Sequence, residues 1–146
     1  MTAFADVTGD GRTNIIAVDD GAVSVGLSTG SSFGFAQNWS GNRFFGAMGT
    51  FFADVTGDGK ADMIGVNNGV TTVRRSNSNS FTANENWLTT SHFGSLGTAF
   101  ADVTGDGKAD SIAVTPTGIT VRPANSTATA FGSLSTWVSS GYFGAM

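Results

Sequence analysis

One octapeptide, FADVTGDG, begins at Phe4, again at Phe52 and again at Phe100, a spacing of 48 residues both times. A fixed period of this size marks a repeat architecture, in which each unit buries a face against its neighbour. Two further marks keep step with it. Trp39, Trp87 and Trp137 follow the opening Phe by 35, 35 and 37 residues, and Phe45-Gly46, Phe93-Gly94 and Phe143-Gly144 come next. The third unit therefore carries a two-residue insertion, and units of 48, 48 and 50 residues account for all 146. Cut at the repeated Phe, the units run 1–51, 52–99 and 100–146. The closing FGAM matches the FGAM that leads into the second octapeptide, so the end of one copy is in register with the start of another.

Each unit reads as four short strands. Thr50 to Val55 alternates and stops at an Asp-rich loop. Met63 to Val66 is a short apolar run, matched by Ile15 to Val18 and Ile112 to Val114. Asn67-Asn68-Gly69 and Asp19-Asp20-Gly21 are hairpin turn signals. Val70 to Arg74 alternates, as do Val23-Val25-Leu27 and Ile119-Val121, and a fourth strand runs toward the Trp. No segment has helical periodicity, so the chain is all-β. Four strands per 48 residues predict a β-propeller blade. A single-chain β-trefoil is the alternative, because it too has three-fold repetition at about this length. The period is too long for a nonapeptide calcium β-helix.

The acidic residues are placed unevenly. Asp6, Asp10, Asp54, Asp58, Asp62, Asp102, Asp106 and Asp110 are 8 of the 11 Asp and Glu, and all lie in the three loops that follow the first strands. Within each loop, oxygen-bearing side chains fall at positions 1, 3, 5 and 9: Asp6, Thr8, Asp10 and Asn14; Asp54, Thr56, Asp58 and Asp62; Asp102, Thr104, Asp106 and Asp110. The glycines let the chain curl, so that the backbone carbonyl at position 7 (Arg12, Lys60 or Lys108) can join them. A hard cation such as calcium takes six to eight oxygens, and carboxylates crowded together without one repel. The loops therefore predict three calcium cups, the first weakest because Asn14 replaces the last Asp. An EF-hand is excluded, since no helix pair flanks the loop and no Glu stands at position 12. Filling all three cups with a divalent cation would add +6 to the formal charge of −4 and give about +2.

Composition excludes several classes. There is no cysteine, hence no disulfide and no thiolate zinc site. No basic cluster exceeds Arg74-Arg75, which argues against a nucleic-acid surface. The longest apolar runs are a few residues, too short for a membrane span. The N-terminus has neither a charged n-region nor an apolar h-region, so no signal peptide is read in this chain. Asn38-Trp39-Ser40 and Asn125-Ser126-Thr127 match glycosylation acceptors. His92 is the single histidine, and Phe44 and Tyr142 hold its place in the other units. An unrepeated His without a nucleophile or a second base does not make a catalytic site, so a surface variant and no enzyme activity are expected.

The segments FGAMGTFFADVTGDGKADMIGV and FGSLGTAFADVTGDGKADSIAV resemble the FG-GAP repeat, also called VCBS, of integrin α-chain-like propellers. The resemblance covers the full chain. It implies one propeller blade per repeat, with calcium in the loop between the first and second strands, held by the positions above. The repeat is also similar to that of Psathyrella velutina-type fungal lectins, seven-bladed propellers that bind N-acetylglucosamine and sialylated sugars between blades. It implies a secreted, extracellular setting.

Propellers have 4–8 blades, and three cannot close a ring. Two chains joined head to tail would give six blades with C2 symmetry, whereas three would give nine. A homodimer is the expectation; a piece of a longer propeller, or a recently duplicated or designed repeat protein, is the alternative. The expected function is multivalent glycan binding between blades, with a structural or protein-interaction module as the second reading. Sugar pockets pair an aromatic face with fixed polar groups. Trp39, Asn42 and Arg43, then Trp87, Ser91 and His92, then Trp137, Ser140 and Tyr142 offer that chemistry at the blade-to-blade connections. A Trp recurring once per blade also suits packing between blades. Phe45, Phe93 and Phe143 are expected in the core, and Arg74, Arg75 and Arg122 as solvent-facing edge charges.

Overall fold

The computed structural model describes residues 1–140, so Tyr142 and the third Phe-Gly mark lie outside the described residues. Twelve strands form three antiparallel sheets. The first holds β1 (Thr2–Ala5), β2 (Asn14–Val18), β3 (Val23–Gly26) and β4 (Gln37–Ser40). The second holds β5 (Gly49–Ala53), β6 (Asp62–Asn67), β7 (Val70–Arg74) and β8 (Glu85–Leu88). The third holds β9 (Gly97–Ala101), β10 (Asp110–Thr115), β11 (Gly118–Arg122) and β12 (Ser135–Val138). Each sheet is a simple up-and-down meander whose strands pair only within their own repeat. That is the organisation of three propeller blades, and it replaces the trefoil alternative.

The repeats agree in detail. The pairing of third with fourth strand shifts register after Val23, Thr71 and Ile119, one bulge per blade at the same place. Antiparallel bridges close the turn before the fourth strand at Ser28–Phe33, Ser76–Phe81 and Ala124–Phe131. The third of these turns is two residues longer, which locates the insertion. The unit boundaries at the repeated Phe fall inside β5 and β9, because that Phe is the fourth residue of the strand and pairing already starts at Gly49 and Gly97.

The apolar core lies between blades. Val7, Ile16, Val25 and Trp39 of blade 1 pack with Met63 and Phe81 of blade 2, and Val55, Ile64 and Trp87 of blade 2 pack with Ala109 and Phe131 of blade 3. Trp39 meets Phe81 with ring centroids 5.5 Å apart, and Trp87 meets Phe131 at 5.2 Å. The first strands of successive blades lie against one another. A four-stranded sheet this short has too little apolar area to stand alone, so each blade is stabilised by its neighbour.

The connection between blades corrects one expectation. Phe45 and Phe93 are exposed, while Phe44 and His92, one residue earlier, are buried. The glycine that follows explains the Phe-Gly mark better than its Phe does. A Cβ built on Gly46 would sit 2.0 Å from the Gly49 carbonyl oxygen and 2.3 Å from the Val66 nitrogen. Gly94 meets Gly97 and Val114 in the same way. The close backbone approach requires glycine.

Candidate functional site

The acidic loops are built alike. The first Asp gathers the backbone of its own loop: Asp6 accepts from the N–H of Gly9 and of Gly11, both at 2.8 Å. Asp54 does the same with Gly57 and Gly59, and Asp102 with Gly105 and Gly107. These turns depend on glycines with φ near +80°. Burial works to raise the Asp6 carboxyl, but the N–H groups around it hold it below the usual range. The third-position Thr8 hydroxyl donates to Asp6 at 3.0 Å.

The fifth position pairs with the seventh. Asp58 accepts from Lys60 Nζ at 2.7 Å and Asp106 from Lys108 Nζ at 2.7 Å, and Asp10 pairs with Arg12. The ninth position faces inward. Asp62 is fully buried and accepts from the N–H of Val55 and of Ser76; Asp110 does so from Val103 and Ala124. Burial, with the charges of Asp58 and Asp54, pushes the Asp62 carboxyl up to about 6. As placed, no three carboxylates or imidazoles among the described residues stand close enough together to hold a metal ion. The donor chemistry nevertheless fits a hard cation in the second and third loops. Asp62 accepts one N–H at each oxygen and keeps a lone pair on each, whereas Asp54 Oδ1 already takes the N–H of Thr56, Gly57 and Asp58. A buried carboxylate near two like charges, as Asp62 is, is relieved by a cation. The first loop fits less well: Asn14 spends its one oxygen on the Val7 N–H, and its buried Nδ2 has no partner.

The connections between blades form the second cluster of sequence-predicted residues. Trp39 and Trp87 are buried in the inter-blade core, whereas Trp137 is half exposed. His92 is buried too, which corrects its reading as a surface variant. Its Nδ1 lies 2.7 Å from Ser111 Oγ and its Nε2 3.2 Å from Thr120 Oγ1. Burial, then the charge of Arg122, lowers its pKa to about 4. The arginines are not edge charges, since the third strand is flanked on both sides. Arg74 is buried: it donates to Ser40 Oγ and Asn84 Oδ1 and stacks over Phe44 at 4.7 Å. Arg75 pairs with Glu85, and Arg122 donates to the Gly132 carbonyl. Asn42 and Ser140 are exposed.

Arg43 is exposed and lines an open cleft of about 340 Å³ with Asp19, Asp20, Phe45 and Thr50, where blade 1 meets blade 2. It pairs with Asp20 at 3.0 Å and lies 4.4 Å over the Phe45 ring. One junction further on, Ser91 Oγ donates to Asn68 Oδ1 at 3.0 Å. Asp20 and Phe45 were absent from the predicted ligand residues. Their signal is in the repeat: positions 20 and 43 correspond to 68 and 91, and the pair changes together from Asp–Arg to Asn–Ser.

Comparison with known proteins follows this geometry. The model of the FG-GAP-like repeat matches residues 6–65 and 54–113. No protein of curated function matches the sequence. Among solved structures, the chain is similar to an Agrocybe aegerita lectin described as recognising non-reducing terminal N-acetylglucosamine. That match has 26% identity and TM-score 0.77 over 95% of this chain and 38% of the lectin chain. It is also similar to part of a TcdB2-TccC3 chain, at 26% identity and TM-score 0.66 over 76% of this chain and 6% of that one. The Photorhabdus luminescens Tc holotoxin pore shares the fold at 19% identity and TM-score 0.74, over 94% of this chain and 7% of that one. The chain thus spans well under half the length of each. With two overlapping matches covering residues 6–113, over the very loops described above, the chain belongs to the FG-GAP-like repeat family.

Proposed function

We propose that this chain is a carbohydrate-binding β-propeller module that recognises terminal N-acetylglucosamine-type sugars in clefts between blades. The observation that carries the reading is the likeness of nearly the whole chain to a lectin of that specificity. The cleft of Arg43, Asp20 and Phe45 supports it, because it joins an exposed aromatic ring to charged groups that can meet sugar hydroxyls. Trp39 and Trp87 support the blades and do not touch ligand in this reading. A glycan array with competition by free N-acetylglucosamine tests it. Binding that the free sugar abolishes, and that Arg43→Ala weakens at least tenfold, is the expected result; a blank array in the presence of calcium sinks it. The likeness to a small part of very large toxin chains favours a second reading, a non-catalytic structural module, and a blank array would leave that one standing.

The same proposal assigns calcium a folding role. Asp54, Thr56, Asp58 and Asp62 with the Lys60 carbonyl would hold one ion, and Asp102, Thr104, Asp106 and Asp110 with the Lys108 carbonyl another. Calcium would neutralise the Asp62 carboxylate, which burial and the charges of Asp58 and Asp54 disfavour. The cups lie within single blades, away from the Arg43 cleft, so calcium serves stability and not sugar contact.

A further inference from the structure

The two seams inside the chain repeat the same contacts. The carbonyl of the loop's first Asp accepts from a backbone N–H of the next blade: Asp6 from Ala61 and Asp54 from Ala109, both at 2.7 Å. The Trp carbonyl accepts from the next blade's Phe: Trp39 from Phe81 and Trp87 from Phe131, both at 3.1 Å. In each seam the Val after that Asp is fully buried, and the position-7 lysine of the next blade packs on the loop glycine, Lys60 on Gly9 and Lys108 on Gly57.

The outer faces of the chain carry the two halves of a third such seam. On blade 3, Val103 is 37% exposed where Val7 and Val55 are 0%, and Trp137 is 50% exposed where Trp39 and Trp87 are 3% and 1%. Nothing lies within 4 Å of a Cβ built on Gly105. On blade 1, Phe33 is 47% exposed where Phe81 and Phe131 are 8% and 5%. Beside it, Ser28, Gly30 and Phe33 line an open cleft. In blade 2 the corresponding turn is filled by the preceding blade: Ser76 and Ser78 donate to the Val7 and Thr8 carbonyls. The receiving aromatic pair is already formed, with Phe4 and Phe33 6.2 Å apart as Phe52 and Phe81 are.

We infer that blade 3 of one chain docks on blade 1 of a second copy, and that two copies close a six-bladed ring. In the new seam Trp137 covers the Phe4–Phe33 pair and its carbonyl accepts from the Phe33 N–H. Val103 enters the Ser28 cleft, and the Asp102 carbonyl accepts from the Thr13 N–H. The contact is head to tail, so it must either close or grow without limit. Of the closed multiples of three, six blades falls within the range that propellers span and nine does not. The outer side of the third acidic loop then lies against the partner's blade 1, as the first loop lies against Lys60 of blade 2.

Light scattering on the 146-residue chain after size exclusion should give twice the 14.9 kDa monomer mass. Trp137→Asp and Phe33→Asp should each give monomers with an unchanged circular dichroism spectrum, because neither residue packs in the internal seams. Mixed one to one, the two variants should pair, since one of the two seams in the mixed ring retains both Trp137 and Phe33. If an aspartate variant fails to fold, the alanine variants at the same positions carry the same test. A single-chain or three-chain mass for the unaltered protein overturns the proposal. So does a Phe33 variant that still dimerises, or a mixture that stays monomeric.

Discussion

At the scale of single residues, the chemistry of this protein is set by which neighbour each polar group finds. Asp58 and Asp106 hold lysines, so a calcium ion must displace an ammonium to reach them. Removing that competitor by Lys60→Ala should strengthen calcium binding about threefold to tenfold by calorimetry. Asn14→Asp should raise the number of bound ions by one, and chelation should lower the melting temperature of the unaltered chain. His92 contributes one part of the pH response. Its folded pKa, about 4, lies below the ordinary 6.5, so between these values the unfolded chain binds the extra proton. Its contribution is fully present above pH 6.5 and is lost as pH falls toward 4, at most about 3 kcal/mol. Asp62 acts in the opposite sense: raised to about 6, it favours the folded state at low pH and loses that advantage as pH rises through 6. The test is therefore a difference. Between pH 6.5 and 4 the unaltered protein should lose stability relative to His92→Phe, the residue that blade 1 carries at this position; parallel melting curves for the two would refute the assignment.

At the scale of elements, the strands and hairpins were legible because each has a local cause. Alternation gives β7 its bounds, Val70–Arg74, as expected from the sequence, and the Asn-Gly and Asp-Gly pairs mark the hairpins. The connections were less legible. Residues 41–48 form no strand, so no period of two tells which aromatic faces inward, and Phe44 is buried where Phe45 was expected. The conserved step within this chain is instead the glycine, and it can be tested. Gly46→Ala forces a Cβ against the Gly49 carbonyl and the Val66 backbone, neither of which can move without breaking β5–β6 pairing. The loss should be about 3 kcal/mol or more in denaturant unfolding. Gly30→Ala, in an open turn at φ +91°, should cost about 1 kcal/mol from backbone strain alone.

At the scale of the whole molecule, stability lies in seams, and each blade is held by the next. A chain with two internal seams and two open half-seams should gain stability when those halves meet. The melting temperature should then rise with protein concentration, as for any folded state favoured by association. A melting temperature constant over a hundredfold range would argue against the ring. In the proposed reading, each further seam would add a junction of the kind that holds the Arg43 cleft, and avidity would rise with their number.

The sequence by itself determined the period, the four strands per unit, the acidic loops and the family, because these arise from short-range patterns repeated three times. Only the tertiary structure decided what the repeats do differently. Trp39, Trp87 and Trp137 are the same residue at the same place, yet two are buried and one is half exposed, because only two have a following blade within the chain. Arg74 and His92 lie in the interior for a related reason: each reaches hydroxyl or amide partners, some of them on a neighbouring blade, and burial of a polar group is settled by partners distant in sequence.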